Sequence, residues 1–124
     1  MAESPDSWPT SLGIAWSVEP PGLVATMAPR PEHRGPPGYL HGGLAATFLD
    51  ETMASLSIAL DNEYSVTATL KLRYRKPIPL DGSTLRAEAW RDRPERRRAH
   101  RVHARLLLPD GTIAVEASGM FVRA

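Results

Sequence analysis

Between Leu44 and Leu60 the chain has no proline, is rich in Ala, Leu and Met, and repeats its apolar residues at helical spacing. Leu44, Phe48, Leu49, Met53, Leu56 and Leu60 share one broad face, which predicts an amphipathic helix over 44–60. It is the one convincing helix, so the rest of the fold must be built mostly from strands. Asp61 and Asn62 end the helix, and the apolar period then changes to two. Val66, Ala68, Leu70, Leu72 and Tyr74 are expected on one face of a long strand. Thr67, Thr69, Lys71, Arg73 and Arg75 are expected on the other, with Pro77 and Pro79 stopping the strand.

Five further segments complete the pattern. Ile14–Val18 and Leu23–Met27, split by Glu19-Pro-Pro-Gly22, read as a strand pair. Thr84–Arg91, Arg98–Leu108 and Thr112–Arg123 alternate, with turn chemistry at Asp81-Gly82 and Pro109-Asp110-Gly111. Residues 29–40 hold four prolines, which block helix interiors and central strands, so an extended loop is expected there. Residues 1–10 read as a loose arm and 11–124 as one domain. The order β-β-α-β-β-β-β predicts an α+β fold, one long helix wrapped by a five- to six-stranded antiparallel sheet. That helix covers one sheet face, leaving the other to solvent or a second subunit.

At 124 residues there is room for one core and not for two domains. The absence of cysteine excludes a disulfide scaffold, thiolate chemistry and a cysteine-bound zinc. Residues 42–60 contain Asp50 and Glu51 and are too polar to span a membrane. The N-terminal residues lack a basic start and an apolar run, so no secretory signal is read and a cytoplasmic protein is expected. Net charge is +1, yet residues 1–60 carry two basic against six acidic side chains and residues 61–124 carry 13 against eight. A basic half serves nucleic acid, an anionic ligand or solubility alike.

Chemistry is concentrated where the proline-rich loop meets the helix, at Tyr39-Leu-His-Gly-Gly-Leu44. Helix starts favour Ser, Thr, Asp or Asn, which accept from the first free N–H groups. His41, Gly42 and Gly43 stand there instead, so backbone donors are expected to point outward toward an anion or a developing oxyanion. A glycine-tolerant cap required by close packing explains the same residues equally well. Asp50 follows nine residues after His41, on a wheel position near Ala46, Ala54 and Ser57. It is either a solvated carboxylate or one placed where small neighbours admit a ligand. Glu51 lies on another azimuth and reads as surface charge.

His41-Gly-Gly-Leu-Ala-Ala-Thr-Phe-Leu-Asp50 resembles the signature of hotdog-fold acyl-CoA thioesterases of the phenylacetyl-CoA thioesterase type. The resemblance extends through Tyr64–Leu80, whose Thr67 and Pro-Ile-Pro ending look most like thioesterase superfamily members four and five. It implies a hotdog fold, hydrolysis of acyl-CoA without cofactor or metal, a part in lipid metabolism, and a homodimer or homotetramer. By position it implies Asp50 as the catalytic carboxylate, Thr67 as a hydroxyl contributed by the neighbouring subunit, and His41, Gly42 and Gly43 as the helix-start motif. Many relatives carry an Asn about six residues before the His, where this chain has Gly35, so roles given to that Asn do not transfer.

Arg73, Arg75, Lys76, Arg93 and Arg97 are candidates for the phosphates of coenzyme A, because guanidinium suits bidentate phosphate contacts. For any one of them taken alone, a place on a solvated basic face is the commoner reading. His100 and His103, three apart on a strand, point to opposite faces and make a poor chelate. There is no His-Glu-x-x-His and no Gly-x-Ser-x-Gly, which disfavours zinc and serine hydrolysis. The competing reading is a non-hydrolytic acyl-CoA or acyl-lipid binding module. RNA binding would rest on the arginines alone, with few aromatics to stack bases, and no nucleic-acid partner is expected.

Overall fold

Strands with a polar and an apolar face pair edge to edge until the apolar faces meet the helix. In the computed structural model, which describes residues 2–3 and 12–124, they do so in one antiparallel sheet. The strands are β1 (Ala2–Glu3), β2 (Ala15–Glu19), β3 (Gly22–Met27), β4 (Ser65–Tyr74), β5 (Leu85–Arg91), β6 (Ala99–Leu107) and β7 (Ile113–Arg123). Their order across the sheet is β1-β2-β3-β5-β6-β7-β4. Six strands correspond to the expected segments; β1 adds two residues that pair with Ala15 and Trp16. The rest of the expected N-terminal arm lies outside the described residues. The helix, α1 (Gly42–Asp61), packs against β3, β4, β5, β6 and β7, giving the expected α+β hotdog arrangement.

The helix buries Ala45, Phe48, Leu49, Thr52, Met53 and Leu56 at i, i+3, i+4, i+7, i+8 and i+11. Burying a Leu, Met or Phe fully contributes about 1.5–3 kcal/mol, so this stripe holds the helix on the sheet. Leu60 corrects the expected core face: it is 38% exposed, and the partly buried Ala59 packs against the core instead. The proline-rich loop is also less uniform than expected. Pro31–His33 forms one 3₁₀ turn, with Pro31 at its start, where the missing N–H costs nothing.

The far end of α1 is tied down by an ion pair. The guanidinium of Arg91 on β5 donates to both carboxylate oxygens of Asp61, at 2.6 and 3.0 Å, and to the Pro94 carbonyl at 2.7 Å. Both side chains are buried. The hydrogen bond from Arg91, with its charge, holds the Asp61 carboxyl below the ordinary carboxylate range. A lowered folded-state value stabilises the fold above the unfolded carboxyl's pKa, and the contribution is lost as pH falls through the folded value. Urea unfolding across an acidic pH series should therefore show Asp61→Asn less stable near neutrality and with a shallower acid dependence than the parent. Parallel curves would remove the pair from the pH dependence.

Candidate active site

The proline-rich loop reaches α1 through backbone pairing: the His41 N–H donates to the His33 carbonyl, and the Leu40 N–H to that of Ile78. This leaves His41 extended (φ −62°, ψ 130°) as the helix cap. Its Nδ1 accepts from the Gly43 N–H at 2.9 Å, which corrects the expectation that both glycine donors point outward. An imidazole can cap as Ser or Asp does, and absence of the usual cap residues concealed that. Among the described residues no acceptor meets the Gly42 N–H. The Gly42 carbonyl takes the Tyr74 hydroxyl at 2.6 Å. The Gly42–Gly43 peptide is thus gripped at its carbonyl by Tyr74 and at its N–H by His41. Among the described residues Gly42 thus remains an open donor at the positive end of the helix. Partial burial raises the pKa of the Tyr74 phenol, which donates at neutral pH as any phenol does.

Beside this helix end lies a cleft of about 520 Å³ lined by Tyr39, Gly42, Tyr74, Arg75, Lys76 and Ile78. Sequence reasoning did not single out Tyr74 or Tyr39. Their signal was present as aromatic residues flanking the glycine motif and the end of the long strand.

Asp50 sits two turns further along α1, half-buried, and accepts the Thr67 hydroxyl at 2.7 Å. Both residues belong to the same chain, so the pairing expected between subunits is made within one. The cause is a β-bulge. Thr67 lies opposite Phe121 and Thr69 opposite Met120, leaving Ala68 as an extra residue in β4. An extra residue reverses the facing of everything before it. Thr67 therefore shares the helix-facing side with Leu70, Leu72 and Tyr74, and Val66 turns outward at 56% exposure. The uniform alternation expected through Val66–Arg75 is corrected at that point.

The five basic candidates do not converge within one chain. Arg75 and Lys76 flank the cleft, with Arg75 also paired to Glu116 at 3.0 Å. Arg73 lies on the outer face of the sheet, opposite Glu116. Arg97, bonded to Glu95, and Arg93 lie in the β5–β6 connection, toward the other end of the helix. His100 faces inward, and its Nε2 accepts from the Arg97 N–H. His103 faces outward and stacks on Trp90. Burial, followed by the Arg91 charge, lowers the His100 pKa and favours this neutral acceptor form. Among the described residues no group of three or more His, Asp or Glu side chains is placed to hold a metal. No helix there is long and apolar enough to cross a membrane.

Comparison with known proteins bears on this arrangement. Residues 37–105, which include the glycine motif, Asp50 and Thr67, match the family described as the thioesterase superfamily. The chain is 40% identical over 58 residues to acyl-coenzyme A thioesterase THEM4 of Xenopus laevis, covering 47% of this chain and 26% of that protein. It is 36% identical over 58 residues to human acyl-coenzyme A thioesterase THEM5, covering 47% and 23%. The chain thus spans about a quarter of the length of these curated relatives. Among solved structures, the Escherichia coli PaaI protein of the phenylacetic acid degradation operon superposes with a TM-score of 0.80 at 18% identity. That superposition covers 91% of this chain and 80% of PaaI, a likeness of fold.

Proposed function

The chain belongs to the thioesterase superfamily, and from that premise we propose that residues 11–124 hydrolyse acyl-CoA thioesters to free acid and coenzyme A. The observation that carries the reading is the Asp50 carboxylate, held by the Thr67 hydroxyl on the helix whose first N–H is open. Thioester hydrolysis needs a donor for the carbonyl oxygen and a group that delivers an oxygen nucleophile. Gly42 N–H is the donor, reinforced by the helix dipole. Asp50 removes a proton from water as it attacks, or attacks the carbonyl carbon itself to give an anhydride that water then opens. In either route the carbon–sulfur bond breaks, the thiolate takes a proton, and water's oxygen ends in a carboxylate.

Gly42 and Asp50 of one chain cannot share a thioester. Eight residues of helix separate them, about 12 Å along the axis, whereas both must lie roughly 3 Å from the reacting group. A second copy with its helix antiparallel brings one chain's Gly42 to the other's Asp50. The edge strand β4 offers the surface for that copy, since its outer edge has no partner strand among the described residues. Val66 and Tyr74 on this strand and Tyr64 just before it are exposed. Exposed, apolar edges of this length invite pairing. The proposed unit is a homodimer, or a tetramer of two dimers.

Arg75 and Lys76, beside the cleft at the helix start, are the basic residues suited to the phosphates of coenzyme A in this reading. Arg73, Arg93 and Arg97 lie away from this cleft in the same chain. A cytoplasmic role in lipid metabolism goes with the acyl-CoA substrate. Thiol release from short, medium, long and aryl acyl-CoAs should exceed the buffer rate for at least one class. Tight acyl-CoA binding by calorimetry with no cleavage of any would replace the hydrolase with a binding module.

A further inference from the structure

Thr67 reaches Asp50 only because β4 is irregular, and two residues with no part in the chemistry, Thr69 and Gly119, border the irregularity. We propose that Gly119 and Thr69 are positioning residues of the active site, acting by holding the Ala68 bulge that turns the Thr67 hydroxyl onto Asp50. The inference rests on the hydrolytic role proposed for Asp50.

Gly119 on β7 lies opposite Leu70, next to the bulged Thr67–Thr69 stretch of β4. A Cβ at this position would stand 2.2 Å from the Thr69 carbonyl oxygen and 3.2 Å from its carbon. It would also stand 3.4 Å from the Leu70 Cα. All three are backbone atoms, so no flexible side chain can move aside. Thr69 supplies the second device. Its hydroxyl accepts the Met120 N–H at 3.0 Å, satisfying a ladder donor beside the bulge. Without the extra residue, Thr67 would share the outward side with Thr69, Lys71 and Arg73, away from α1. With it, the Thr67 hydroxyl occupies Asp50 Oδ1 and leaves Oδ2 for the reaction. Losing that bond frees the carboxylate to rotate, and misplacements near 1 Å cost up to about 100-fold in rate.

The test is a double-mutant cycle with structures. Thr69→Val removes the hydroxyl at nearly constant shape. It should lower kcat about tenfold with KM unchanged within about twofold, and Thr69→Ser should restore the rate. In a Thr67→Val background, which already lacks the bond to Asp50, Thr69→Val should cause little further loss. Crystal structures of Thr69→Val and Gly119→Ala should place the Thr67 hydroxyl out of reach of Asp50. Losses that multiply in the double variant would overturn the inference. So would a Thr67–Asp50 contact that survives both substitutions, or full activity without it. A parent protein inactive on every thioester would instead defeat the hydrolytic reading, while the crystal structures would still decide what holds Thr67.

Discussion

Asp50→Asn is expected to lower turnover by at least about 100-fold, the scale on which loss of a positioned base is felt, while substrate binding persists. The substitution keeps size and helix position, and the amide oxygen still accepts the Thr67 hydroxyl now bonded at 2.7 Å. Stability should therefore move by less than about 0.5 kcal/mol. What is removed is the negative charge that a nucleophile or base requires. Glu51→Gln removes the adjacent charge about 100° round the helix and should leave the rate within about twofold. Steady-state thiol release and a thermal melt on both variants decide the matter. Equal losses at Asp50 and Glu51 would mean that general charge along α1 governs activity, and Asp50 would lose its assigned role.

Most of the fold was legible because hydrophobic period is a local signal. The helix was placed to within two residues at its start, and the alternating segments fell on β2 to β7. The errors share a different origin: each depends on an interaction that local period does not contain. Ala68 fits either face of a strand, so nothing around Val66–Thr69 announces that the parity changes there. The signal lay on another strand, in Gly119, where a glycine inside a strand marks close backbone approach. His41 was read as an absent cap because an imidazole accepts a hydrogen bond only through its unprotonated nitrogen, here Nδ1. Leu60 has the right azimuth for the core, yet it lies in the last turn and is partly exposed. For the candidate site, Asp50, Thr67 and Gly42 were put forward from the resemblance of their motifs. The partner relation between Asp50 and Thr67 was not, because it turns on one inserted residue.

Gly42→Pro is expected to lower turnover by about 100- to 1000-fold, since it deletes the open donor at the helix start. Local structure should tolerate the change. Gly42 is the first residue of α1, the position where proline is favoured, and His41 before it already holds the extended conformation that a following proline requires. A Cβ at Gly42 would meet nothing closer than the Tyr74 ring at 3.7 Å, an ordinary contact. The variant then serves a complementation experiment. If one chain's Gly42 works with the other chain's Asp50, Gly42→Pro and Asp50→Asn chains that are each inactive should recover when mixed. Random assortment into two-fold dimers leaves one intact site in each heterodimer, about a quarter of the parental rate. Asp50→Asn mixed with Thr67→Val should show no such recovery, because those two side chains meet within one chain. Recovery in the second mixture but not the first would reverse the assignment of residues to subunits. No recovery in either, with subunit exchange verified by mass, would place the whole site in one chain and remove Gly42 as the donor to the thioester that Asp50 attacks.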